Sequence, residues 1–180
     1  CVLPDNKTVY LGEDGSSGES LFSKFVADEA GDFTSGTLYV YKQTEGQYTG
    51  EWVEVTDESI ENMVGIRAWA AQNGVTGFNR IEWVAYNKTD GKIYFTETGR
   101  DYPGSRLEGA MEKGFKLTKH YYDRAEEQGV EITSAEYWDL YGRVCVYDPA
   151  DNSVRSFLEG GPYIDMGGEY VEYPDKHLSN

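Results

Sequence analysis

Residues 81–96, which read IEWVAYNKTDGKIYFT, carry the clearest signal for the fold. Two runs rich in aromatic and β-branched residues, 81–86 and 92–96, flank a polar turn that ends in Asp90-Gly91. An Asp-Gly pair between alternating runs of this kind is a strong short-range signal for a β-hairpin. We therefore predict two antiparallel strands joined by a tight turn.

The same pattern of strand, polar turn and strand occurs near both ends of the chain. One copy covers residues 7–11, 12–15 and 21–26, and the other covers 143–148, 149–152 and 153–158. Two more alternating runs, 36–42 and 50–55, predict further strands. In the first of them, side chains point alternately to the two faces, Leu38 and Val40 to one and Tyr39 and Tyr41 to the other.

Repeated hairpins with glycine in their turns are typical of β-propeller blades. We therefore predict a fold dominated by β-structure, a partial β-propeller in which about three to four blades are visible. A propeller closes with about four to eight blades, which is more than this pattern supplies in 180 residues. Residues 1–180 are accordingly expected to be a fragment of a single propeller domain, cut from a longer polypeptide.

Residues 57–74 interrupt the series of strands and predict a helical insertion or a linker between blades. Asp57 is suited to cap the helix at its N-terminus. Ile60, Val64 and Ala71 follow helical spacing, and Asn73-Gly74 provides a stop signal.

Residues 99–140 show no sustained strand or helix period, and they predict a long, irregular loop insertion with at most a short helix near 121–128. Loops of this length are usually functional or bind a partner. Aromatic residues in the segment serve either as contact anchors for a protein partner or as packing anchors onto the propeller: Tyr121, Tyr122, Tyr137 and Trp138.

The charge of the chain bears on its partners. Thirty-two acidic residues stand against 16 basic ones, a formal net charge of -16. Such a surface repels phosphate backbones and anionic lipid, so nucleic acid is not an expected partner. No apolar run approaches the roughly 18 to 20 residues of a membrane span. The sequons that begin at Asn6 and Asn87 are compatible with an extracytoplasmic location.

Several motifs, taken in order, resemble the PhoX-type alkaline phosphatase family. The first part of the resemblance lies in residues 3–14, LPDNKTVYLGED, followed by 21–26, LFSKFV, and 36–40, GTLYV. Residues 78–83, FNRIEW, match the Arg-Pro-Glu signature of the family except that Ile81 stands at the proline position. Residues 90–98, DGKIYFTET, and 141–149, YGRVCVYDP, continue the match, whereas 99–140 aligns with no part of the family pattern.

The resemblance implies an exported, six-bladed propeller that acts on phosphate esters with iron and calcium ions. At the matched positions, Arg80 would bind phosphate through its planar guanidinium, and Glu82 would ligate metal. Glu13 and Asp14 would be calcium ligands, because their hard oxygens lie on a glycine-flanked loop. The cysteine and the further glutamate that ligate iron in the family have no match here, since the surroundings of Cys1 do not fit.

Less specific interpretations of these residues remain open. Arg80 and Glu82 also suit an ordinary ion pair on one face of a strand, and residues 12–15 suit an ordinary acidic turn. At the level of function, the alternative to a phosphatase is a non-catalytic propeller that binds a protein through 99–140 or docks as a subunit in a larger assembly. A calcium-dependent lactonase-like or sugar-binding propeller is a third hypothesis.

Other ionisable residues are expected to be structural. Glu97 is interpreted as an exposed carboxylate at a strand end, and His120 and His177 as surface or loop residues, since they lack the spacing of a zinc site. Cys145 is interpreted as a small buried apolar residue. Whether Cys1 and Cys145 form a disulfide stays open, because two cysteines define no framework.

Overall fold

The structure is a computed structural model. It describes residues 1–57, 59–98, 104–137, 139 and 142–159, with side chains omitted at 104 and 105.

The first sheet has four antiparallel strands in sequential order. Its strands are β1 (Thr8–Gly12), β2 (Phe22–Glu29), β3 (Asp32–Gln43) and β4 (Gly50–Glu54). The hairpin predicted over residues 7–26 is confirmed, with Tyr10 paired to Lys24. The predicted strands over 36–42 and 50–55 are confirmed as β3 and β4, and β3 begins four residues earlier than predicted.

Two short helices connect this sheet to the next, α1 (Ile60–Val64) and α2 (Ile66–Gln72), followed by the two-residue strand β5 (Thr76–Gly77). They replace the single helix expected within 57–74, because Gly65 ends α1 and precedes α2. The N-cap is Ser59 rather than Asp57, since the Ser59 side chain accepts the Asn62 N–H.

The stop at Asn73-Gly74 is confirmed, with Gly74 at a φ of 58°. Ile60 and Val64 are both 83% exposed, so the periodicity of α1 does not mark a face buried among the described residues.

The predicted hairpin over 81–96 forms β6 (Ile81–Tyr86) and β7 (Ile93–Glu97). After it come α3 (Gly104–Lys113), the short strand β8 (Lys116–Leu117) and α4 (Lys119–Gln128). The insertion over 99–140, expected to be irregular with at most a short helix near 121–128, therefore contains two ten-residue helices, and α4 includes the expected one. Gly114 and Gly129, at φ values of 110° and 68°, follow the two helices, and this glycine C-cap signal is visible in the sequence.

The last predicted hairpin is confirmed as β9 (Arg143–Asp148) and β10 (Ser153–Glu159). These strands join β6 and β7 in a second antiparallel sheet with the order β10-β9-β7-β6. Two of the three predicted hairpins share one sheet, and the described residues form two four-stranded sheets and a two-stranded sheet of β5 and β8.

A core of aromatic rings lies between the two sheets. Phe22 of β2 stacks on Phe95 of β7 with ring centroids 4.6 Å apart, and Trp52 of β4 donates its indole N–H to the hydroxyl of Tyr147 in β9 at 2.9 Å. A second core joins the other face of the first sheet to the helices, and Val40 of β3 belongs to it. Tyr41, the next residue, belongs to the aromatic core, which confirms the predicted alternation along β3.

A close backbone approach positions the start of the second sheet. An added Cβ on Gly77 would lie 1.6 Å from the carbonyl oxygen of Gly18, which has no flexible side chain to move away. The loop that contains Gly18 also pairs with Phe78, because the Phe78 N–H donates to the Ser20 carbonyl at 2.9 Å. Gly77 therefore sets how closely the loop after β1 approaches the segment that leads into β6.

Replacing Gly77 with alanine is expected to lower the free energy of unfolding by about 3 kcal/mol, the upper part of the usual range for overpacking. Denaturant unfolding followed by tryptophan fluorescence measures the change. Gly109→Ala is the control, because nothing lies within 4 Å of an added Cβ there and alanine favours a helix interior. Equal stability of the two variants would contradict the close approach.

Candidate functional site

The serine hydroxyl of Ser20 joins the two segments that carry the predicted site residues. Its Oγ accepts the backbone N–H of Gly15 at 3.0 Å and the backbone N–H of Arg80 at 2.8 Å. Arg80 itself lies just before β6 with a φ of 50°, a left-handed conformation uncommon for a residue with a side chain. The sequence suggested that Arg80 and Glu82 lie on one strand. In the structure Arg80 instead lies outside β6, in a segment that the Ser20 hydroxyl holds.

Three of the four predicted site residues come together at this segment. The Nε of Arg80 donates to Asp14 Oδ1 at 2.9 Å, and its terminal nitrogen Nη2 lies 3.4 Å from Asp14 Oδ2 and 3.5 Å from Glu82 Oε1. Glu82 also accepts the Thr98 hydroxyl at 2.9 Å. The side chains of Asp14, Arg80 and Glu82 are 49%, 24% and 41% exposed, so solvent reaches the cluster.

Glu13 makes a different contact from its neighbour Asp14. Its Oε1 accepts the Nε of Arg67, in α2, at 2.9 Å. Its Oε2 is buried and has no hydrogen-bond partner among the described residues. No local signal in the sequence connects Arg67 to Glu13, 54 residues away.

Glu97 is buried, not exposed as the sequence suggested, with only 3% of its surface accessible. One carboxylate oxygen accepts the backbone N–H of Asn79 at 2.6 Å, and the other accepts Arg143 Nη1 at 2.7 Å. Arg143 also pairs with Asp139 through Nη2. Glu97 thus ties the backbone next to Arg80 to an ion-pair network in the interior.

The charge of Arg143 is maintained by this network. Burial by itself would lower the pKa of Arg143, but the carboxylates of Asp139 and Glu97 raise it well above its usual value. The interpretation of Cys145 as a buried residue is confirmed. Burial, followed by the nearby Glu97, raises the pKa of the Cys145 thiol well above its usual value, so this thiol is a poor nucleophile.

Cys1 and Cys145 are both free thiols in the structure. Cys1 is partly buried and packs against the aromatic core, as Leu3 does. This apolar setting fits a small structural residue, and it agrees with the mismatch of its surroundings to the iron-ligating cysteine of the family.

A second group of potential ligands lies at the far end of the ion-pair network. His120 of α4, Asp139 and Glu159 of β10 each offer one ligand atom, and these three atoms lie within 4.8 Å of one another. The side chain of His120 is only 17% exposed, in contrast to the surface position expected for it. His177 lies outside the described residues.

Most of the aromatic residues considered as contact anchors pack inside the protein. Tyr121 and Tyr137 are both 1% exposed and belong to the helical core, whereas Tyr122 is half-exposed. Trp138 lies outside the described residues. Of the two interpretations of these residues, packing onto the propeller applies to Tyr121 and Tyr137.

The oxygen donors at the first site are of the type that calcium binds, since calcium takes oxygen ligands at about 2.3–2.6 Å in flexible arrangements. Asp14 and Glu82 offer carboxylate oxygens beside Arg80, whereas Glu13 contacts Arg67. The buried Oε2 of Glu13, without a partner among the described residues, is the kind of atom that a cation would satisfy. No residue of this cluster provides the thiolate that the family uses for iron.

Two antiparallel sheets that share an aromatic core define a partial β-propeller, and an arginine paired with two carboxylates lies at the start of one strand. The family model for alkaline phosphatase PhoX matches residues 1–165, and the chain belongs to this family. The predicted resemblance and the predicted partial propeller are both confirmed.

A solved structure described as Pseudomonas fluorescens PhoX in complex with vanadate, a transition state analogue, is similar in fold. The TM-score is 0.52 at 20% sequence identity, and the match covers 86% of this chain. The chain spans 29% of the length of that protein's chain. No curated protein matches the sequence significantly. None of the described helices is long and apolar enough to cross a membrane.

Proposed function

We propose that the protein is a metal-dependent phosphatase that acts on phosphate esters, with Arg80 as the residue that binds the phosphoryl group. The observation that carries the proposal is the convergence of Arg80, Asp14 and Glu82 at one solvent-accessible site, in a chain that belongs to the PhoX family. These residues come from segments 66 positions apart, so local sequence alone does not require them to meet.

Asp14 would fix the direction of the guanidinium in this site. Because Asp14 is bonded to Nε and approaches one terminal nitrogen, the fork of Arg80 is held in a defined plane before substrate binds. A guanidinium held in this way offsets the negative charge that develops on phosphoryl oxygens without first having to reorganise. The contacts of Arg80 with Asp14 and Glu82 therefore serve both interpretations, the ordinary ion pair and the phosphate-binding site.

Glu13, Asp14 and Glu82 would hold calcium, and Glu82 would act as a metal ligand rather than as a base. Bound metal would polarise a phosphoryl oxygen and lower the pKa of the attacking water. Iron enters the proposal through the family resemblance, with its ligands outside the matched positions of this chain. The same resemblance supports an extracytoplasmic location.

Replacing Glu82 with glutamine in the full-length protein is expected to abolish hydrolysis of p-nitrophenyl phosphate and to lower the calcium content measured by plasma mass spectrometry. Glutamine keeps the shape of the side chain but removes the negative charge that binds the cation. The matched control is Glu51→Gln, at an exposed carboxylate on β4. Near-normal activity and metal content in the Glu82 variant would rule out its assignment.

The same assay tests the alternative of a non-catalytic module that binds a protein through residues 99–140 or docks in a larger complex. A full-length protein that is folded, without activity toward phosphate esters, and recovered in a larger assembly would support that alternative. Tyr122, half-exposed on α4, is the aromatic side chain among the described anchors that a partner would reach.

A further inference from the structure

The buried ion-pair network contains acidic and basic groups in unequal numbers. Among the described residues, Arg143 pairs with Glu97, Asp139 and Glu159, and Arg124 pairs with Glu159 and Glu127. Glu127 is 66% exposed and is left out of the count, so three largely buried carboxylates minus two guanidinium groups leave one negative charge, with His120 counted as neutral. Uncompensated charge in a protein interior is unfavourable unless a counter-ion or a proton satisfies it.

Four atoms in this network lack hydrogen-bond partners among the described residues: the Nε donors of Arg124 and Arg143, and two atoms that can each offer an electron pair to a cation. One is Asp139 Oδ1, on a side chain that is 2% exposed, and the other is His120 Nε2, which lies 3.5 Å from Glu159 Oε1. Buried carboxylate and imidazole atoms are nearly always satisfied in native proteins. Their position in the cluster of His120, Asp139 and Glu159 therefore points to a ligand that accepts electron pairs.

We infer that His120, Asp139 and Glu159 bind a divalent first-row transition metal such as zinc, at a site separate from the Arg80 cluster. Two ligand atoms about 2.1 Å from one ion lie at most about 4.2 Å apart. The three ligand atoms lie within 4.8 Å of one another, so side-chain adjustments of about half an ångström bring them to bonding distance. One nitrogen and two carboxylate oxygens form a donor set that suits zinc or manganese better than calcium, because imidazole is a ligand of transition metals.

The two arginines would orient the metal ligands. Arg124 donates to Glu159 and Arg143 to Asp139, so each carboxylate has one oxygen fixed by a guanidinium. Hydrogen bonds from a second shell commonly orient metal ligands in this manner. A dication would also offset the negative charge that the two guanidinium groups leave in the network.

The structural consequence of such a metal is a link between segments far apart in sequence. It would join α4, which carries His120, to Asp139 before β9 and to Glu159 at the end of β10. The helices of the 104–128 segment would then be fastened to the second sheet by coordination as well as by packing. The site is accordingly inferred to be structural, and it does not depend on the proposed phosphatase activity.

The test is zinc binding to the intact protein, measured by competition with a chromophoric chelator, with Glu159→Gln and His120→Ala compared with the parent. Loss of either ligand is expected to lower the affinity for one equivalent of zinc by more than about 100-fold. This is a larger loss than the one expected when only a hydrogen-bond partner of a ligand is removed. Glu127→Gln is the matched control, because Glu127 also pairs with Arg124 but is not in the cluster. This variant is expected to retain zinc.

Cobalt provides an independent readout that does not require activity. Substitution with Co²⁺ is expected to give visible ligand-field absorption that disappears in Glu159→Gln and persists in Glu127→Gln. Circular dichroism of each variant verifies that it is folded, and a variant that fails to fold is replaced by His120→Gln. Absence of a zinc equivalent in the parent, or zinc binding unchanged in both ligand variants, would overturn the inference.

Discussion

Replacing Arg143 with methionine is expected to lower the free energy of unfolding by about 3–5 kcal/mol, the usual loss when one partner of a buried ion pair is removed. Arg143 is 3% exposed and bonds Glu97 and Asp139, which are themselves buried. Methionine replaces much of the side-chain volume but leaves both carboxylates without their cation. Chemical denaturation of the intact protein, with the transition followed by circular dichroism, measures the loss.

Lys113→Met is the matched control for Arg143→Met. The Lys113 ammonium lies 2.7 Å from Glu19 Oε1, the same distance that separates Arg143 Nη1 from Glu97 Oε2, but the lysine side chain is 59% exposed. Exposed pairs contribute about 0–1 kcal/mol. A loss in the Arg143 variant no larger than that in the Lys113 variant would mean that solvent reaches the network.

Replacing Phe22 with alanine is expected to lower the free energy of unfolding by about 3–5 kcal/mol, because truncation of a buried phenylalanine leaves a cavity as well as removing apolar contact. Phe22 is fully buried, and its ring contacts the rings of both sheets. The rings within about 6 Å of its centroid belong to Tyr10, Tyr41, Trp52, Phe78, Phe95 and Tyr147. The residue thus joins the two sheets rather than stabilising one strand.

Phe33→Ala is the control for Phe22→Ala, because Phe33 lies on the adjacent strand β3 but is 43% exposed. Its loss is expected to be well below that of Phe22, since less surface returns to water and no enclosed cavity forms. The near-ultraviolet circular dichroism of the Phe22 variant is also expected to change, because the stacked rings around it lose their fixed packing. Equal destabilisation by the two substitutions would contradict a shared aromatic core between the sheets.

Two residues that do not touch the guanidinium of Arg80 hold the backbone around it. Ser20 accepts the Arg80 N–H, and Glu97 accepts the N–H of the preceding residue, Asn79. A substitution at Ser20 or Glu97 therefore changes the segment that presents the guanidinium without touching the guanidinium itself. Glu97 and Ser20 are positioning residues in the proposed site, whereas Arg80, Asp14 and Glu82 are the groups that solvent reaches.

The hairpins could be predicted from the sequence because their signals are local. In residues 81–96, the alternation of side chains and the Asp-Gly turn lie within one short segment, and the strands form close to the predicted bounds. The same holds for 143–158. In 99–140, α4 was expected only as a short helix near 121–128 and α3 was missed, because a short amphipathic period in a charged segment is weak, although Gly114 and Gly129 mark the ends of these helices.

Local sequence was enough to predict the strands, their turns, the alternation along β3 and the motif of Arg80 and Glu82, because each is encoded within a few residues. Three contacts emerge from the packing of distant segments: Glu13 pairs with Arg67, Glu97 is buried against Arg143, and His120 lies near Asp139 and Glu159. The first two of these pairs join residues 54 and 46 positions apart. The packing of whole sheets and helices selects such contacts, and neither residue type nor local spacing specifies which distant charge a carboxylate will meet.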